Sequence, residues 1–148
     1  MAKVLALGAG SLAVVFSLFI CFYFTSSNFI IGLSIFLPFI YFAEYLLSFS
    51  KITNQLLYKI IFYVFIFTSY VLLYIAYQFS FNSEFIIIML VIYNIILIAL
   101  PTPKQVLIYF GIVFIPLEIV LLFSTISLGF ALLITVSFGY VFALSYVI

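Results

Sequence analysis

Three glutamates, Glu44, Glu84 and Glu118, supply all the acidic side chains of this 148-residue sequence. Glu118 is the one whose surroundings point to chemistry. It lies in an apolar run from Gln105 to Phe123, and a rise of ~1.5 Å per residue puts it ~20 Å from the start of that run. No lysine reaches that depth. An ionisable group there must face protein or water, and it marks a candidate proton or cation site. Pro116, two residues earlier, removes one helical hydrogen bond and frees a backbone carbonyl one turn back, which loosens the helix beside the carboxyl. The competing reading is a neutral acid hydrogen-bonded to a neighbouring helix. Asn94, near the middle of another apolar run, is the second candidate for the ion site; its alternative is an interhelical hydrogen bond.

The other acids read as structural. Glu44 sits beside Tyr41 and Tyr45, with Lys51 seven positions on. That spacing suggests an interfacial anchor or a lysine-paired acid. Glu84 follows Asn82 and Ser83, and a carboxylate in a first helical turn complements the helix dipole. Tyr63, Tyr70, Tyr74 and Tyr77 fall within a narrow sector at 100° per residue. Their hydroxyls are costly against lipid tails, so this polar stripe is expected to face inward or toward a partner, either lining a polar path or packing in the core. Two ridges of small residues repeat every fourth position. Ala9, Ala13, Ser17 and Cys21 form one; Ala131, Thr135, Gly139 and Ala143 form the other. Such ridges let helices approach closely in lipid, and here they are expected to join the first and last helices or to dock on another subunit. Cys21 reads as a member of its ridge.

What is missing narrows the chemistry. The sequence has no His, Asp, Arg or Trp and a single Cys. Haem and zinc ligand sets, nucleophile–base pairs and bidentate phosphate clamps all need absent residues. No catalytic residue, cofactor or metal is therefore expected, and a net charge of +1 without a basic run gives no reason to expect nucleic acid.

The elements that must position these groups are membrane helices. Hydrophobic residues make up 70% of the chain and charged ones 5%, against roughly 25% charged in soluble domains. Lipid is the solvent that tolerates such a surface. About 20 apolar residues cross the hydrocarbon, and this ruler finds six spans in one transmembrane domain: 4–24, 29–48, 57–79, 84–100, 105–123 and 128–148. The breaks are Thr25 to Asn28, Ser50 to Gln55, Ser80 to Ser83, Pro101 to Lys104 and Ser124 to Ser127. Lys3 ahead of an apolar run resembles a secretory leader, but the run is expected to be retained as a true span. The expected fold is thus an all-α, six-span bundle with short loops.

Alternation puts Lys3, Lys51, Lys59 and Lys104 on one side, which the positive-inside tendency makes cytoplasmic, together with both termini. The second helix carries Gly32 and Pro38 before Glu44, and the fifth carries Gly111 and Pro116 before Glu118. These are the middle helices of two three-helix halves, so a repeat between them would be inverted across the membrane, as in many transporters.

Two functions follow as expectations. One is a small non-catalytic accessory subunit of a multi-subunit membrane complex, surrounded by membrane lipids and bound to other membrane subunits; in size and composition the chain resembles the small hydrophobic subunits of respiratory complexes. The other is a small transporter or channel, working through Glu118 as a single chain or as a homo-oligomer. Either way the expected location is the cell membrane or the inner membrane of an organelle.

Overall fold

Apolar runs that must satisfy every backbone group internally become helices, and the computed structural model is helical almost throughout. It describes residues 2–23, 28–123 and 127–147. The expected breaks at Thr25 and at Ser124 lie outside these residues. The helices are α1 (Ala2–Tyr23), α2 (Asn28–Leu47), α3 (Asn54–Gln78), α4 (Ser83–Ala99), α5 (Pro103–Leu122) and α6 (Leu128–Val147). No strand occurs among the described residues. Five of the six are long and apolar enough to cross a membrane. Helix α4, with 17 residues, extends only ~26 Å.

Local chemistry sets the helix ends. Asn82 caps α4, its side chain accepting from the Glu84 N–H at 2.9 Å; Glu84 itself lies in the first turn. At α5, Thr102 accepts from the Gln105 N–H at 3.3 Å, and Pro103 occupies the first helical position, where its missing N–H costs nothing. Between α3 and α4 the chain reverses through two left-handed residues, Ser80 (φ 52) and Phe81 (φ 53). The Phe81 N–H closes the end of α3 onto the Ala76 carbonyl at 2.8 Å, and burial of the Phe81 ring offsets a backbone cost of about 1–2 kcal/mol per residue.

The chain divides into two units, Met1–Val64 and Phe65–Ile148, with the boundary inside α3. In the first unit α1 and α2 lie in extensive backbone contact. Their buried faces are Ala6, Ala13, Ser17 and Ile20 on one side and Ile30, Ser34, Leu37, Tyr41 and Glu44 on the other. Small residues make this approach possible. At Gly10 a methyl group would already touch Tyr41 Cβ at 3.4 Å.

In the second unit α6 packs against both α4 and α5, while α4 and α5 approach each other less. Aromatic rings fill the space. Phe110 stacks on Phe142 and Phe114 at 3.9 and 4.6 Å between centroids, and Phe138 lies 5.5 Å from Tyr93. The C-terminal part of α3 joins this unit differently. It has no extensive close approach to α4 or α5, and tyrosine hydroxyls bridge the distance to both.

Candidate functional site

A proline inside a helix leaves the carbonyl four residues earlier without its N–H donor. In hydrocarbon an unsatisfied group of this kind costs several kcal/mol. Two such carbonyls exist, Ser34 for Pro38 in α2 and Ile112 for Pro116 in α5. Both are answered from another helix. The Ser17 hydroxyl of α1 donates to the Ser34 carbonyl, and the Tyr70 hydroxyl of α3 donates to the Ile112 carbonyl at 2.8 Å. Ser17 Oγ is also 2.8 Å from the Ala13 carbonyl. That oxygen already receives a helical N–H, so the single hydroxyl proton does most good on Ser34.

Glu118 is half-buried. Its Oε1 accepts from the Thr135 hydroxyl of α6 at 2.6 Å. Thr135 Oγ1 also lies 3.0 Å from the Ala131 carbonyl of its own helix, an oxygen that already has its backbone donor. The arrangement makes Glu118 a cross-link between α5 and α6, two residues beyond Pro116.

A third polar feature joins α3, α4 and α5, and sequence reasoning did not find it. The Tyr93 hydroxyl donates to the Ser69 carbonyl at 2.6 Å. Ser69 Oγ and Tyr109 Oη share a short hydrogen bond, while Ser69 Oγ also reaches the Phe65 carbonyl at 2.8 Å. All three side chains are buried. The available signal was a set of mid-helix hydroxyls in lipid-spanning runs, each of which needs a partner.

The remaining candidates are placed as follows. Asn94 is half-buried, and its Oδ1 is enclosed without a hydrogen-bond partner. The interhelical bond expected for it is not formed. Glu44 is more enclosed than expected at 2% exposure, and neither carboxyl oxygen has a partner. The expected lysine pairing is absent because α2 stops at Leu47 and the chain turns through Ser48 to Ser50, which takes the exposed Lys51 off that helical face.

The tyrosine stripe lies on the exposed side of α3, with Tyr63 67% and Tyr77 60% exposed. Within this chain the stripe does not turn inward as a whole, and the Tyr70 hydroxyl reaches across to α5. In the first small-residue ridge, Ala13 and Ser17 are buried on the face of α1 that meets α2, Ala9 is half-buried and Cys21 is exposed. In the second, Ala131, Thr135 and Gly139 are half-buried and Ala143 exposed, while the deepest residues of α6 are its neighbours Ile134 and Phe138.

Among the described residues no group of three metal-ligating side chains comes together. The groove found in the first unit, about 200 Å³, runs between α1 and α2 and includes Gly10, Pro38, Tyr41 and Tyr45 in its walls. Its lining does not include Glu44. Comparison with protein-family models, with curated proteins and with solved structures returns no match to this chain. Its fold and side-chain geometry therefore carry the functional reading: an α-helical membrane protein in which several polar side chains join one helix to another.

Proposed function

We propose that this chain is a small non-catalytic accessory subunit of a multi-subunit membrane complex, with six spans and both termini on the lysine-bearing side. The observation that supports this most is the bond between Thr135 and Glu118. A carboxyl tied to a neighbouring helix within one turn of a proline is suited to holding α5 on α6. A carboxyl that carries ions needs a wet path instead. The exposed tyrosine face of α3 adds support, since hydroxyl-bearing rings are better covered by protein than by lipid tails in mid-span. Gentle solubilisation followed by native mass measurement tests the reading. Recovery in a stable assembly with different polypeptides is the expected result; a monomer or a pure homo-oligomer overturns it.

The second reading is a small transporter or channel. The enclosed, unpartnered Asn94 Oδ1 favours it, because a buried acceptor without a donor is a place where a ligand or water can bind. In that reading Glu118 exchanges a proton or holds a cation while α5 flexes at Pro116. Glu118→Gln in a proteoliposome flux assay abolishes transport if the reading holds, and unchanged flux removes Glu118 from any mechanism.

A further inference from the structure

The α1–α2 groove ends beside a cation. Its walls include Leu7, Gly10, Val14, Pro38 and Phe42, and Ala6 and Tyr45 close its lower end. One turn further along α1, Lys3 Nζ stands 4.2 Å above the centre of the Phe49 ring. That ring packs edge-on against Tyr45, with centroids 5.1 Å apart. An ammonium, two aromatic rings and an apolar trough thus follow one another along the unit. Among the described residues no carboxylate pairs with Lys3. Glu44, the acid nearest in sequence, lies on the buried face of α2, and its oxygens are enclosed.

The trough follows from the sequence. Gly10 has no side chain to fill the gap, Ser11 turns its hydroxyl back onto the Leu7 carbonyl at 2.9 Å, and Pro38 presents a short ring. At ~30 Å³ per small group, the share of one water in the liquid, the groove holds about seven heavy atoms. That matches part of an acyl chain and not a whole lipid. The charge sits at the end of the apolar run, at headgroup level, and a lysine there attracts anionic headgroups.

We propose that this groove binds an anionic phospholipid, one acyl chain lying between α1 and α2 and the phosphate against Lys3. The proposal needs only that the chain spans a membrane, and it stands whether or not the protein is an accessory subunit.

The test is native mass spectrometry of the full chain, titrated with phosphatidylglycerol or phosphatidylcholine of identical acyl chains. Wild type is expected to retain one phosphatidylglycerol in preference to phosphatidylcholine. Lys3→Gln is expected to lower that preference roughly fivefold, the worth of one lysine at a membrane surface. The change removes a positive charge from the first turn of α1, where the helix dipole disfavours it, so the fold is not put at risk. Val14→Trp, at an exposed groove wall, is expected to reduce retention of both lipids by filling the trough from outside the helix contact. Equal retention of the two lipids by wild type overturns the proposal. So does a phosphatidylglycerol preference that survives Lys3→Gln, or retention that Val14→Trp leaves unchanged, which means the headgroup alone is held at the surface.

Discussion

Helices α2 and α5 face the same problem and solve it with donors of different length. Each contains an internal proline, and each leaves one carbonyl for another helix to satisfy. In the first unit the donor is Ser17, whose hydroxyl is one atom beyond Cβ, so it reaches Ser34 only because the two backbones lie in close contact. In the second unit the donor is Tyr70, whose hydroxyl stands a full ring away from its backbone. It bonds Ile112 without an extensive close approach of α3 to α5. The reach of the donor and the spacing of the helices go together. A short donor belongs to a small-residue seam; a long one belongs to a ring-filled gap, as Tyr93 and Tyr109 illustrate at Ser69.

Enlarging the short donor breaks this contrast most severely. Ser17→Leu places a branched side chain in the α1–α2 seam and is expected to destabilise the protein by up to ~3 kcal/mol, measured as unfolding in mixed micelles. Tyr70→Leu, at a position 40% exposed, is expected to cost far less in the same measurement. Comparable losses from the two changes contradict the spacing argument.

Removing only the hydroxyl is milder. Ser17→Ala leaves the Ser34 carbonyl without its donor in a buried seam, at a cost of roughly 1–2 kcal/mol. Pro38→Ala restores the helical N–H to the same carbonyl, so in that background Ser17→Ala is expected to become nearly neutral. A full loss that persists in the Pro38→Ala protein shows that Ser17 acts by packing and not by answering the proline gap.

The smallest effect belongs to the long donor. Tyr70→Phe is expected to cost ~0.6 kcal/mol, typical of interhelical hydrogen bonds in membranes, and to cost nothing once Pro116→Ala supplies the missing N–H. If the two substitutions add without coupling, the bond seen between Tyr70 and Ile112 contributes nothing to stability.

The comparison also bears on symmetry between the halves. Gly32, Pro38 and Glu44 echo Gly111, Pro116 and Glu118 in order, but the helices that serve the two prolines are not equivalent. The donor to α2 comes from α1, whereas the donor to α5 comes from α3; a strict 3+3 repeat would place it on α4. The acids diverge as well. Glu118 finds Thr135 on the next helix, and Glu44 is enclosed with no partner at all.

Much of this was legible before any coordinates. Six helices lie within three residues of the expected boundaries, because apolar runs of membrane length have no other way to satisfy their backbones. The free carbonyl behind Pro116 was legible too, since proline chemistry is local. Its partner was not. Tyr70 was grouped with Tyr63, Tyr74 and Tyr77 by angular position alone, and angle does not reveal which hydroxyl meets a neighbouring helix. Glu44 misled for a similar reason. Its seven-residue spacing to Lys51 suggests a shared face only while the helix continues, and α2 ends first.

The sequence by itself determined the solvent, the helices and the kinds of group that need a partner, since each of these depends on residue type and on neighbours along the chain. Tertiary structure alone decided which partner each group obtained: Ser17 for Ser34, Tyr70 for Ile112, Thr135 for Glu118, and none for Glu44. In a chain this uniformly apolar no helix has a marked polar face to announce its orientation. Side-chain reach and close packing choose among many similar surfaces, and both are properties of helices brought together in space.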